Sequence, residues 1–105
     1  MSYYANSEER PRLISGLRDL AEFLNKNPGV PAPPRTDVLV FPPAGSDAEM
    51  FAEIDAIAER IGTTPSADEP AGHYRVVRAF GPVQYRAVAI PNSARARDDD
   101  DGEAE

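Results

Sequence analysis

The sequence predicts a single small α+β domain in the order α-β-α-β-β, with a three-stranded, mainly antiparallel sheet and two helices on one face. Three observations carry that expectation. Residues His73 to Pro91, HYRVVRAFGPVQYRAVAIP, place two apolar-rich runs on either side of Gly81 and Pro82, the pattern of a β-hairpin with a two-residue loop. Two earlier segments repeat Leu or Ile at helical spacing, and Asp37 to Phe41, DVLVF, is a short run apolar enough on both sides to be a buried strand.

The first helix is expected over about residues 8 to 25. Ser7 is its expected N-cap, Glu8 and Glu9 suit its positive end, and Pro11 is tolerated in its first turn. Leu13, Leu17, Leu20 and Leu24 form one stripe that Ile14 and Ala21 widen, with Arg18, Asp19, Glu22 and Lys26 opposite. Asn27, Pro28 and Gly29 end the helix, and PGVPAPPR, with four prolines in eight positions, is a stiff extended connector to the first strand. After Phe41, the run Pro42, Pro43, Ala44, Gly45 breaks that strand. Ser46 and Glu49 then have the spacing of a capping box, and Met50, Ile54, Ile57 and Ile61 line one face of a second helix ending at Gly62.

Residues 63 to 72 read as a polar loop leading to the hairpin. Gly81 accepts the positive φ of a type II′ turn and Pro82 the negative one, so Phe80 opposes Val83 and the register follows: Arg78 with Tyr85, Val76 with Ala87, Tyr74 with Ala89. That mostly apolar face is the expected core face. The first strand is expected at an edge, beside residues 83 to 90 and antiparallel to them, with a place parallel to residues 73 to 80 as the alternative. The expected core is Leu13, Leu17, Leu20, Leu24, Val38, Val40, Ile54, Ile57, Ile61, Val76, Phe80, Val83 and Tyr85. Residues 1–6 read as an N-terminal arm, 7–91 as the domain and 92–105 as a disordered acidic tail, since a run such as DDDDGEAE cannot repay the entropy of ordering.

Composition narrows the functional classes. The chain has 105 residues, no cysteine and one histidine, which argues against disulfides, thiolate chemistry and metal or redox cofactors; neither a cofactor nor a metal site is expected. It has no long apolar run, so no membrane partner is expected and a cytoplasmic setting is. No Walker or dinucleotide glycine spacing is present, and neither Ser46 nor Ser66 sits in a motif that supplies a base, so a non-enzymatic role is expected. The net charge is −7, yet His73 to Pro91 holds three arginines and no acid.

These features point to a small protein-binding or regulatory module using the solvent-side face of the hairpin: His73, Arg75, Val77, Gln84, Arg86 and Val88. A protein partner is expected because guanidinium groups on an open sheet recognise carboxylates well. Two alternatives stand beside it. Weak nucleic-acid binding by the arginine-bearing hairpin is limited by three phosphate contacts and by the absence of a recognition helix; an acidic nucleic-acid mimic would use the second helix and the tail. A homodimer through the Asp37 to Phe41 edge strand is a further expectation, because an apolar edge invites a partner. The phrases FPPAGSDAEM and HYRVVRAFGPVQYRAVAIP resemble small uncharacterised actinobacterial proteins over roughly residues 8 to 95. The resemblance implies a bacterial cytosolic setting and carries over no activity or site residue.

Overall fold

The computed structural model describes residues 4–67 and 72–92. Its elements are α1 (Glu9–Lys26), β1 (Thr36–Val40), α2 (Asp47–Ile61), β2 (Ser66–Ala67), β3 (Tyr74–Phe80) and β4 (Val83–Ala89). They fall into two compact units, Met1–Arg35 and Thr36–Glu105.

α1 forms where its stripe predicts, one residue later at each end, but Asn6 caps it rather than Ser7. The Asn6 Oδ1 accepts from the Glu9 and Glu8 backbone N–H groups at 2.8 and 2.9 Å, and the Glu9 carboxylate accepts from the Asn6 N–H at 3.0 Å. That exchange satisfies three donors that a helix start otherwise leaves open. At the other end both the backbone and the side-chain N–H of Asn27 donate to the Phe23 carbonyl. Lys26 reaches Glu22 one turn back at 3.4 Å. No residue of α1 is buried. Leu13, Leu17 and Leu20, expected in the core, are 50%, 44% and 53% exposed, and Leu24 is half-buried. The amphipathic pattern is correct and the assignment to the core is not.

The second unit is a four-stranded mixed sheet in the order β1-β4-β3-β2, where three mainly antiparallel strands were expected. The hairpin register is as read from the sequence, from Phe80 opposite Val83 to Tyr74 opposite Ala89. Gly81 has φ 64° and no non-glycine residue among those described has positive φ, as a type II′ turn with Pro82 second requires. β1 does lie beside β4, but parallel to it, pairing Val38 with Tyr85 and Val40 with Ala87. The reason lies in residues 63 to 72. Ser66 and Ala67 pair antiparallel with Arg75 and Tyr74, so after α2 the chain travels back along the sheet before β3 begins. That extra pass reverses the sense of β3 and β4 together, and a segment taken for a plain loop thereby changes the sheet from antiparallel to mixed.

α2 packs on the face carrying Val76, Ala87 and Ala89. It starts at the expected capping box, with the Ser46 hydroxyl accepting from the Glu49 N–H at 3.1 Å and the Glu49 carboxylate accepting from the Ser46 N–H at 3.0 Å. It ends at left-handed Gly62, φ 73°. Arg78 donates to the Ile61 carbonyl at 2.8 Å, placing a cation at the negative end of the helix, and its guanidinium also lies 5.3 Å from the Phe80 ring centre. The buried core is Met50, Ile54, Ala58, Val76, Ala87 and Ala89, with Val40, Phe51, Ile57, Ile61, Tyr74 and Tyr85 packed around it.

Phe80 and Val83, expected in this core, are 59% and 41% exposed. They lie two residues past the point where Arg78 meets the end of α2, so the helix is too short to cover the hairpin tip. Val38 and Val40 are half-buried on the α2 side. Leu39, on the other side of β1, is 50% exposed, against the expectation that both sides of this strand are buried. The expected tail falls on residues 93–105, outside the described residues, apart from Asn92. Asn92 donates from its backbone to the Asp47 carboxylate at 2.7 Å and from its side chain to the Gly45 carbonyl at 3.0 Å.

Ile54 is fully buried, so Ile54→Ala is expected to cost about 2–5 kcal/mol in urea unfolding, whereas half-buried Ile57→Ala costs less. Equal losses at the two positions would contradict the helix orientation. The capping box has a pH signature as well. The Ser46 backbone N–H, and next the Ser46 side chain, hold the Glu49 carboxyl below its ordinary value of 4.5. A lowered acid contributes stability that is fully present above pH 4.5 and is lost as pH falls through its folded-state value. The difference in urea midpoint between the native chain and Glu49→Ala is therefore expected to be present at pH 6 and to shrink at pH 3.

Candidate protein-docking face of the sheet

Strand alternation decides which side chains face away from α2. With Val38 and Val40 on the helix side, Asp37, Leu39 and Phe41 fall on the open side, and the pairing of Asp37 with Gln84 and Leu39 with Arg86 aligns them with Arg86, Val88 and Ile90. The hairpin register adds His73 and Arg75 from the other side. Eight residues, Asp37, Leu39, Phe41, His73, Arg75, Arg86, Val88 and Ile90, line a shallow open concavity of about 320 Å³. Leu39 is 50% and Phe41 37% exposed there.

Charge in this concavity is organised around Arg86. Its Nη1 donates to the Asp37 carboxylate across the parallel pair at 3.3 Å, with both side chains about two-thirds shielded. Its Nε is buried and has no acceptor among the described residues. A guanidinium carries five N–H donors, so one carboxylate leaves most of them to be satisfied elsewhere, and a buried donor without a partner is costly. The pocket thus combines aliphatic and aromatic surface with an arginine that has further bonds to make.

Of the six residues expected at the site, His73, Arg75, Arg86 and Val88 come together in this concavity. Val77 and Gln84 lie on the same face nearer the turn and outside its lining. The sequence reading missed Asp37, Leu39, Phe41 and Ile90. Ile90 had a signal, since the register that sets Tyr74 opposite Ala89 brings His73 opposite Ile90 when continued by one pair. The β1 residues had one too, since Val38 and Val40 were expected in the core and alternation sends Asp37, Leu39 and Phe41 to the other face; what the sequence lacked was the parallel register that sets Asp37 and Leu39 against Gln84 and Arg86.

The helix side of the hairpin is chemically different. The Tyr74 hydroxyl donates to the Asp55 carboxylate at 2.5 Å, and its ring meets Phe51 at 5.0 Å between centres. The bond to Asp55, followed by burial and by the carboxylate charge, pushes the Tyr74 hydroxyl above its ordinary value of 10. The Tyr74 and Arg78 side chains are thereby turned toward α2, and the hairpin presents only Arg75 and Arg86 of its three arginines on the open side.

Among the described residues no group of three or more His, Asp or Glu side chains is placed to hold a metal, and no helix is long and apolar enough to cross a membrane. No known family model, curated protein or solved structure matches the chain.

The Tyr74 assignment is open to a direct titration. Tyrosinate absorbance is expected to show one of the protein's tyrosines ionising above pH 10, and Asp55→Asn is expected to move that midpoint back toward 10. An unchanged high midpoint in the variant would remove Asp55 as the cause.

Proposed function

We propose that the sheet-bearing unit is a non-enzymatic protein-binding module whose docking surface is the open face of the sheet. The observation that carries this reading is the 320 Å³ concavity, in which Leu39, Phe41, Val88 and Ile90 surround the Arg86–Asp37 pair. Apolar surface supplies the drive to associate, and the arginine supplies direction. The ligand chemistry that fits is a protein segment with one or two apolar side chains for Leu39 and Phe41 and a carboxylate for Arg86 and Arg75. Such a segment competes with Asp37 for the guanidinium. Arginine and exposed aromatic or aliphatic residues are the usual energetic centres of such interfaces.

The nucleic-acid alternative finds less support in the same geometry. Arg78 is held at the end of α2 and Arg86 is partly neutralised by Asp37, which leaves too few phosphate contacts for firm binding at physiological salt.

The test is selection of peptides from a displayed random library on the immobilised chain, followed by affinity measurement and mapping of the bound peptide by amide chemical shifts. Selected peptides are expected to carry an acidic residue within a few positions of an aromatic or branched aliphatic one. Binding is expected to weaken at least about tenfold in Leu39→Ala and in the Arg75→Glu, Arg86→Glu double variant. Peptides without acids, or shifts mapping to the α2 side, would refute the site. A fragment of duplex DNA retained by the native chain but not by the double variant, with a steep salt dependence, would favour nucleic-acid binding instead.

A further inference from the structure

We propose that α1 is a self-association helix that pairs antiparallel with α1 of a second copy of the chain. The pairing does not depend on the sheet-face reading. Three observations support the pairing. An 18-residue helix with no buried residue lacks the tertiary packing that normally sustains helices of this length in water, although its ends are well capped. Its stripe is also exposed: Leu13, Ile14, Leu17, Leu20 and Phe23 are between 39% and 53% accessible. Gly16 is the third. It sits in the helix interior, where glycine weakens a helix, and a side chain added there meets no atom within 4 Å. Among the described residues nothing requires a glycine at that position.

The sequence of the stripe is symmetric about the point between Arg18 and Asp19. Read from that point in either direction it runs charge, leucine, small residue, polar residue, large apolar residue, leucine. A two-fold axis through that point is what an antiparallel homodimer needs, because such an interface must complement itself. Leu13, Leu17, Leu20 and Leu24 alternate at spacings of four and three, the seam of a coiled coil. Antiparallel pairing sets Leu13 against Leu24 of the second copy and Leu17 against Leu20. On the flanks it sets the Phe23 ring of one copy over Gly16 of the other, and Ile14 beside Ala21. Large meets small on both sides, so the glycine that serves nothing in one chain makes room for a phenylalanine in the pair.

The helix is about 27 Å long. With the aliphatic stems of its rim residues, the pair buries on the order of 1,000–1,200 Å², at the lower edge of specific interfaces. Association is therefore weak and reversible, with a dissociation constant on the order of 10 μM to 1 mM.

The absence of cysteine permits a clean test on the full chain. Leu13→Cys and Leu24→Cys, each prepared alone, are expected to form little disulfide dimer on mild oxidation, while their mixture forms the mixed dimer. Sedimentation equilibrium of the native chain is expected to move toward twice the monomer mass between about 10 μM and 1 mM, with helix signal at 222 nm rising in parallel. Gly16→Leu improves the isolated helix but occupies the space of Phe23, so it is expected to weaken association about tenfold or more without loss of helicity. A monomeric mass at 1 mM would overturn the proposal. So would disulfide dimers from each single variant alone, which indicate parallel pairing, or a dimer unaffected by Gly16→Leu, which indicates another surface such as the β1 edge.

Discussion

The close seating of α2 on the two alanines of β4 is the constraint on which the sheet unit depends. Ala87 and Ala89 project so little that Met50, Ile54 and Ala58 approach the strand until all five, with Val76, are lost to solvent. A larger side chain at either position would hold the helix away and open the layer to water. The hydrogen bonds at the edges of the layer follow from that seating. Arg78 reaches the end of α2, Tyr74 reaches Asp55, and Asn92 reaches the loop and first turn at its start, so the helix is anchored near its beginning, middle and end. With one face of the sheet committed in this way, the other is left to form a surface.

That division gives the two faces different chemistry. On the α2 side Tyr74, Arg78 and Asn92 find partners within the unit and serve to hold it. On the open side Leu39 and Phe41 are exposed beside an arginine whose buried Nε has no acceptor among the described residues. Monomeric proteins expose single apolar side chains routinely, but apolar residues grouped in a concavity with an incompletely bonded cation are a different feature. The edges of the sheet differ as well. β2 is only two residues long, and β1 carries Asp37 within it and is followed by two prolines, devices that discourage further strand addition.

Local signals in the sequence were legible where physical chemistry acts locally. The hairpin turn needs a positive φ followed by a negative one, and Gly81-Pro82 announces it; the Ser46 to Glu49 box announces α2. The same logic, applied one residue earlier, would have found Asn6 and Glu9, whose spacing is identical. What could not be read was the passage of β2, because Ser66 and Ala67 have neither alternation nor β-branched side chains and pair only because β3 offers an edge. Missing it inverted the sense of β1 relative to β4 and so hid the register that sets Asp37 and Leu39 against Gln84 and Arg86. The leucine stripe of α1 was read correctly as an apolar face, but a stripe states only that a helix has something to bury. It does not state what.

The parallel pairing of β1 with β4 has a kinetic consequence. The hairpin joins residues that are neighbours in the chain, and α2 lies next to it in sequence, whereas the Arg86 to Asp37 contact spans 49 positions. Closing that loop costs chain entropy before any pairing rewards it, so β1 is expected to join after the hairpin and α2 have formed. A late-joining strand is also the first to leave. Weakening β1 is therefore expected to accelerate unfolding while barely slowing folding, and the concavity, three of whose eight lining residues come from β1 and the position after it, is complete only in the last state the chain reaches.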